Sequence, residues 1–123
     1  MMRILVVDDE GDILESTSQL LHALGFDTAV CSHANRVLDT MRKEHPDLVL
    51  HDVRMPGLEI AAQLRAIRAD PGLSHVPVIL FTATLSAKEM AAAVGADDGI
   101  EKPFDPDRLG EFLHGWEGRA HDS

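Results

Sequence analysis

The segment RILVVDDE at residues 3–10 is the most informative part of the chain for its fold class. Four consecutive aliphatic residues follow Arg3 and give way abruptly to three acids, Asp8, Asp9 and Glu10. A short apolar run bounded by polar residues is typical of a strand buried on both faces, as in a parallel sheet. The acids then begin at the C-terminal end of this strand, and open parallel sheets bind ligands at that edge.

Four more strand-like runs follow, at residues 28–31, 48–51, 76–81 and 99–101. Between and after the strands, apolar residues recur at helical spacing, in segments 13–24, 34–44, 58–69, 86–94 and 106–116. Asp105 is a suitable N-cap for the last helix, with Pro106 in its first position. This strict alternation predicts an α/β fold in which helices cover both faces of a parallel sheet.

Polar residues occupy the ends of the other long strands as well. Asp52 ends the third strand, Thr82 the fourth, and Lys102 follows the fifth. Together with Asp8 and Asp9 they would bring three carboxylates, a hydroxyl and an ammonium to one edge. Carboxylates suit Mg²⁺, lysine and hydroxyl donors suit phosphoryl oxygens, and a carboxylate such as Asp52 can act as a nucleophile towards phosphorus.

Each residue also has a structural interpretation when it is taken alone. The acidic run could be a turn before a helix N-terminus, where negative charge is favourable. Asp52 could simply end a strand, Thr82 could be an ordinary strand residue, and Lys102 could be a solvated edge charge. The grouping of all of them at one predicted edge favours a functional site.

The motifs carry a resemblance that covers the chain from end to end. They are VVDDE at 6–10, HDVRMPG at 51–57, FTAT at 81–84 and EKPF at 101–104. With these motifs in this order, the chain resembles a response regulator receiver domain of two-component signalling. The resemblance implies a doubly wound, flavodoxin-like (βα)5 fold with a parallel sheet of order 2-1-3-4-5.

The resemblance also implies the chemistry of the site. Asp52 would accept a phosphoryl group from the phosphohistidine of a sensor histidine kinase or phosphotransfer protein. Asp9, Asp52 and the backbone carbonyl of Arg54 would bind Mg²⁺ directly, and Asp8 would assist through water.

Three further residues would contact the phosphoryl group, according to the same resemblance. The Thr82 hydroxyl and the Ala83 amide would bind its oxygens, and Lys102 would pair with them. A cis bond between Lys102 and Pro103 would aim the lysine into the site.

Two positions depart from the family pattern. Gly99 stands where receivers usually carry an aromatic residue that turns inward with the threonine, and the stretch from Thr82 to Gly95 is shorter than usual. The glycine is either drift at a tolerant edge or a sign that signalling does not use this aromatic. His51, beside Asp52, is interpreted as a hydrogen-bonded core histidine, with pH sensing as the alternative.

Composition limits the remaining possibilities. The 123 residues are 45 % hydrophobic with a net charge of −10, which excludes general disorder and argues against direct nucleic-acid binding. Apolar runs are too short for membrane insertion, and the single Cys31 suits a reducing cytoplasm. We expect one receiver domain at residues 1–117 with a polar tail at 118–123.

The resulting prediction is a single-domain response regulator. It would signal through an unknown downstream protein or pass the phosphoryl group along a phosphorelay, and it would not be an enzyme beyond its own aspartyl phosphorylation and dephosphorylation. Three alternatives stay open at this point. They are an interaction module of the same fold that needs no phosphorylation, a small Mg²⁺-dependent phosphatase that uses Asp52, and a fragment of a longer regulator.

Overall fold

The computed structural model describes residues 2–83, 86–102 and 105–121. Its five strands are β1 (Arg3–Val7), β2 (Asp27–Cys31), β3 (Leu48–Asp52), β4 (Val78–Thr82) and β5 (Asp98–Glu101). Its helices are α1 (Gly11–Ala23), α2 (Val37–Glu44), α3 (Ile60–Ala69), α4 (Ala87–Val94) and α5 (Pro106–His121), and a 3-10 turn at Ala34–Arg36 leads into α2.

The sheet is parallel throughout, in the order β2-β1-β3-β4-β5. This confirms the predicted doubly wound fold and its strand order. Because β1 and β3 are neighbours in the centre, the acids that follow β1 lie beside the end of β3. None of the helices in the described part of the chain is long and apolar enough to cross a membrane.

Side-chain alternation along the strands divides the core into two layers. Leu5, Val49 and Val78 face α2 and α3, whereas their neighbours Ile4 and Leu50 face α1 and α5. Strands β3 and β4 are buried at every position, as expected for strands covered on both faces. The centre of the sheet is therefore rigidly packed, and this fixes the positions of the strand ends.

Some element boundaries differ from those predicted. Helix α3 begins at Ile60 rather than at residue 58, because the Glu59 carboxylate accepts hydrogen bonds from the amides of Ala61 (3.3 Å) and Ala62 (3.1 Å) and so caps the helix. The predicted cap of α5 is confirmed, since Asp105 Oδ1 accepts from the Asp107 amide at 3.0 Å.

The ends of three other elements also shift. Strand β4 runs over Val78–Thr82 rather than residues 76–81, and the first turn of the predicted helix at 34–44 is a 3-10 turn. Helix α5 continues to His121, five residues beyond the predicted end at 116. The predicted boundary between a domain at 1–117 and a tail at 118–123 falls inside this helix and stays a prediction.

Candidate functional site

Three acidic side chains meet at the C-terminal edge of the sheet. Asp8 and Asp9 follow β1 and Asp52 ends β3, and one carboxylate oxygen from each lies within 4.8 Å of the others. Asp8 is 1 % exposed and Asp52 is 7 % exposed, whereas Asp9 is open to solvent. The predicted convergence of these carboxylates is therefore confirmed.

Backbone contacts fix Asp8 where β1 ends. Its amide donates to the Cys31 carbonyl of the neighbouring strand at 3.1 Å. Its Oδ1 accepts from the Glu10 amide at 3.0 Å, which turns the chain towards α1. The strand pairing thus continues one residue past β1, and the side chain of Asp8 stays inside the site.

Lys102 reaches this cluster from the end of β5. Its Nζ lies 2.8 Å from Asp8 Oδ2 and 3.7 Å from Asp52 Oδ1. Its backbone amide donates to the Thr82 carbonyl at 2.8 Å, and its ammonium lies 4.3 Å from the centre of the Phe81 ring. The lysine is partly shielded from solvent and lies closer to Asp8 than to Asp52 in this state.

The surroundings of Asp52 raise the pKa of its carboxyl group. Burial is the main cause, and the negative charge of Asp8 adds to it. The positive charge of Lys102 and hydrogen bonds from the amides of Val53 and Arg54 act in the opposite direction. The net result is a buried carboxylate whose negative charge is not fully compensated by the protein.

The donor set fits a divalent cation with a preference for oxygen. The cluster has two buried carboxylates and one exposed carboxylate, and their negative charge is only partly neutralised by the protein. Such a set suits Mg²⁺, which keeps several waters and takes few protein ligands. Arg54 follows the end of β3 with its side chain exposed. The role predicted for its carbonyl oxygen as a ligand stays a prediction.

The predicted phosphoryl-binding groups lie at neighbouring strand ends. Thr82 is the last residue of β4 and is 2 % exposed, and Ala83 follows it at the surface. β4 lies between β3 and β5, so Thr82 lies on the same edge as Asp52 and Lys102. The contacts predicted for Thr82 and Ala83 with a phosphoryl group stay predictions, and Pro103, with its predicted cis bond, lies outside the described residues.

A cleft of about 480 Å³ opens beside the acidic cluster. Asp9 contributes to its wall. The other lining residues come from the segments after β2 and β3 and are Ser32, His33, Ala34, Asn35, Met55, Pro56 and Gly57. The exposed carboxylate of the cluster can therefore be approached from solvent.

His51 is buried on the opposite side of the sheet from Asp52, as predicted. It is 0 % exposed, and its Nδ1 lies 2.6 Å from the carbonyl oxygen of Asp52. Burial lowers the pKa of His51 to about 4, although the hydrogen bond to Asp52 opposes the shift. Its second polar neighbour, Gln63 of α3, was not identified from the sequence. The position of Gln63 next to Leu64 and Ile67, which form the inner face of α3, could have indicated it.

Gly99 is required by the close approach of α4 to β5. A Cβ atom at this position would lie 2.2 Å from the Ala87 carbonyl oxygen and 3.0 Å from the Lys88 amide nitrogen. The first turn of α4 therefore occupies the space that a side chain at position 99 would need. A larger residue at this position would require α4 to move, and both interpretations of the glycine stay predictions.

Comparisons with known proteins agree with the fold and with the site. The family model described as "Response regulator receiver domain" matches residues 4–114. The DNA-binding response regulator MtrA of Mycolicibacterium paratuberculosis is 40% identical over 109 residues, which is 87% of this chain but 47% of that protein. The chain thus spans about half the length of the curated relatives it matches.

Solved structures of similar shape include two close in length to this chain. The chemotaxis response regulator CheY4 of Vibrio cholerae has a TM-score of 0.83 at 27% identity, covering 94% of this chain and 98% of that one. The receiver domain of a sensor histidine kinase from Pseudomonas aeruginosa, with magnesium coordinated in its active-site cleft, has a TM-score of 0.84 at 27% identity, covering 95% and 98%. From the family match, the relatives and the architecture, the chain belongs to the response regulator receiver domain family.

Proposed function

We propose that Asp52 accepts a phosphoryl group from the phosphohistidine of a sensor histidine kinase or phosphotransfer protein, in a Mg²⁺-dependent reaction. The observation that carries this proposal is the position of the Asp52 carboxylate, at the rim of the sheet between two further acids and the Lys102 ammonium. A carboxylate nucleophile needs a cation beside it to meet an anionic phosphoryl group, and this cluster can hold one.

The transfer forms one bond at Asp52, breaks one bond in the phosphohistidine donor, and changes no other covalent bond of the protein. An Asp52 carboxylate oxygen forms a bond to phosphorus as the bond from phosphorus to the donor imidazole breaks, and that nitrogen keeps the electron pair. Asp8, Asp9 and Asp52 would hold Mg²⁺, with the Arg54 carbonyl, and the ion supplies positive charge between the two anionic groups. Phosphoryl transfer is driven mainly by positioning and electrostatics, which these residues provide.

Lys102 has a role that requires a change of partner. Its Nζ lies 2.8 Å from Asp8 Oδ2, and a new phosphoryl oxygen on Asp52 would compete for the same ammonium. Thr82 and the Ala83 amide, at the end of β4, would bind the remaining oxygens. These contacts would pull the ends of β4 and β5 towards Asp52.

The test is the mass of the intact protein after incubation with Mg²⁺ and a small phosphoryl donor such as acetyl phosphate. We expect one added phosphoryl group in the wild type and none in Asp52→Asn. Asp39→Asn, a change on the exposed side of α2, is the matched control and should be modified like the wild type. An adduct that persists in Asp52→Asn would place the acceptor elsewhere.

The output is a separate part of the proposal. Phosphorylation would shift the population of a pre-existing conformation that binds a downstream protein or donates the phosphoryl group along a relay. The close contact of α4 with Gly99 favours the rival hypothesis of an interaction module without a phosphorylation switch, since the usual aromatic is absent. The test compares how tightly a downstream protein binds to unphosphorylated wild type, phosphorylated wild type and Asp52→Asn. Equal affinity for all three would favour that rival.

A second candidate follows from the names of the relatives. They are DNA-binding response regulators about twice as long as this chain, so the receiver could control a DNA-binding output instead of acting as a single-domain protein. The expectation of no direct nucleic-acid contact rests on the net charge of −10 and concerns only this chain. An electrophoretic mobility shift of duplex DNA caused by this chain would contradict it.

Two further expectations belong to the same proposal. The chain would act in the cytoplasm, where sensor kinases present their phosphohistidine. It would not turn over substrates beyond its own aspartyl phosphate. Repeated turnover of small phosphomonoesters, abolished in Asp52→Asn, would instead support the phosphatase hypothesis.

A further inference from the structure

His51 makes a hydrogen bond to the backbone of the proposed phosphoryl acceptor. Its Nδ1 lies 2.6 Å from the Asp52 carbonyl oxygen, and the side chain is 0 % exposed. A carbonyl oxygen can only accept, so Nδ1 is the protonated nitrogen and donates to it. In the neutral imidazole the other nitrogen, Nε2, is then an acceptor.

Gln63 lies beside that acceptor and connects it to a second loop. Its Nε2 lies 3.5 Å from His51 Nε2 and 2.8 Å from the carbonyl oxygen of Ala34. The two hydrogens of the amide group suffice for both acceptors. Ala34 begins the 3-10 turn after β2 and lines the cleft beside Asp9, so one polar chain joins the end of β3, helix α3 and the wall of the site.

The carbonyl that His51 binds belongs to the last residue of β3, which is still paired with Phe81 of β4 but lies past the end of the β1–β3 pairing. The pairing of β1 with β3 ends at Val7 and His51, one residue before Asp52. The peptide group that contains this carbonyl also carries the Val53 amide, which donates to Asp52 Oδ1 at 2.8 Å. The orientation of that peptide therefore sets the orientation of the carboxylate, and the imidazole holds the peptide.

We propose that His51 is a positioning residue for phosphoryl transfer to Asp52, which acts through the Asp52 carbonyl and is itself oriented by Gln63. This inference rests on the proposed function, because it concerns the geometry of the same acceptor. It assigns a role to a polar side chain that lies outside the acidic cluster and on the other face of the sheet.

The test compares two substitutions that differ in the donor they retain. His51→Asn keeps an N–H group close to the place of Nδ1, whereas His51→Leu fills the space without a donor. We expect His51→Leu to slow phosphorylation by acetyl phosphate at saturating Mg²⁺ by roughly tenfold, the scale of lost outer-shell hydrogen bonds at such sites. His51→Asn should stay close to the wild-type rate.

Urea unfolding of both variants separates positioning from general damage. A purely structural role would slow the two variants in proportion to their loss of stability, and equal slowing of both would overturn the inference. A wild-type rate in His51→Leu would overturn it as well. A Mg²⁺ titration gives a readout that does not depend on phosphorylation: Mg²⁺ binding should be weaker in His51→Leu than in His51→Asn.

Nitrogen NMR of the unmodified wild type tests the geometry without any substitution. We expect a His51 tautomer protonated at Nδ1, and protonation at Nε2 alone would overturn the inference even if the variants failed to fold. A wild type that takes no phosphoryl group would overturn the proposed function and this inference together. A modified wild type with an unaffected His51→Leu overturns this inference only.

Discussion

Burial shifts the pKa values of two adjacent residues at the end of β3 in opposite directions. Asp52 must carry a negative charge to act as an acceptor, and burial raises its pKa, which opposes that charge. His51 must stay neutral to keep Nε2 as an acceptor, and burial lowers its pKa to about 4, which supports neutrality. Burial thus keeps His51 neutral, as its positioning role requires, whereas the ionised form of Asp52 depends on nearby positive charge.

The lowered pKa of His51 predicts a loss of stability in mild acid. The unfolded histidine takes up a proton near its ordinary pKa of 6.5, whereas the folded one does so only near 4. The unfolded state therefore binds more protons in this interval, and the free energy of unfolding should fall by up to about 3 kcal/mol as pH drops through it. Urea unfolding between about pH 7 and about pH 5 measures the slope.

His51→Asn provides the control, since asparagine does not titrate. The slope over the same interval should be flatter in this variant by an amount close to the histidine contribution. Asp52 acts in the opposite sense, because its raised pKa lets the folded state bind a proton more readily, but it is present in both proteins. Identical slopes in the two proteins would show that His51 is not held neutral in the folded state.

The charged residues at the strand ends could be predicted from the sequence, but the partners of His51 could not. Asp8, Asp52 and Lys102 were identifiable because strand ends in a parallel sheet must meet at one edge. The orientation of His51 followed from strand alternation. Its bond to Gln63 depends on how α3 lies over β3, and no local pattern encodes that rotation.

At the scale of elements, the contact between α4 and β5 distinguishes this receiver. A Cβ at Gly99 would lie 2.2 Å from the Ala87 carbonyl oxygen, so Gly99→Ala must push α4 away from β5. We expect a loss of about 2 kcal/mol, typical of overpacking in a tight contact, measured as a lower urea midpoint at unchanged slope. Backbone amide shifts should change most in α4.

Gly115→Ala in α5 is the matched control for this prediction. A Cβ there would meet nothing within 4 Å among the described residues, and alanine in a helix is favoured over glycine by about 0.5–1 kcal/mol. This variant should be as stable as the wild type or more so. If Gly99→Ala were equally well tolerated, α4 would have to be mobile enough to move aside at little cost.

Element boundaries were the least predictable feature at this scale. The Glu59 side chain caps α3, so the helix starts at Ile60 although the apolar Leu58 precedes it. Periodicity alone placed the start earlier, because Leu58 does contact the core as the pattern required. The continuation of α5 to His121 was missed because a polar, glycine-containing segment carries a weak helix signal.

For the whole molecule, the alternation of strands and helices predicted a parallel sheet covered on both faces, and the resemblance to receiver domains supplied the strand order 2-1-3-4-5. What the sequence could not provide was the distance between charges across the sheet. Lys102 is far from Asp8 in the chain, yet its Nζ lies 2.8 Å from Asp8 Oδ2 because β5, β4, β3 and β1 are consecutive in the sheet. The same edge also holds Asp8, Asp9 and Asp52 within 4.8 Å of one another, so like charges repel there and a bound cation should stabilise the folded domain.

That coupling gives the last prediction, in which one substitution has opposite effects with and without metal. A ligand that binds only the folded state stabilises it by mass action, by about 2.7 kcal/mol at 100 times its Kd, so Mg²⁺ should raise the free energy of unfolding of the wild type. Asp9→Asn removes one exposed carboxylate from the cluster. Without Mg²⁺ it should be slightly more stable than the wild type, because repulsion among the acids is reduced, and with Mg²⁺ it should be less stable.

Asp39→Asn, remote from the cluster, should respond to Mg²⁺ like the wild type. Equal stabilisation of all three proteins by Mg²⁺ would mean that the ion acts by general screening and that these carboxylates do not bind it.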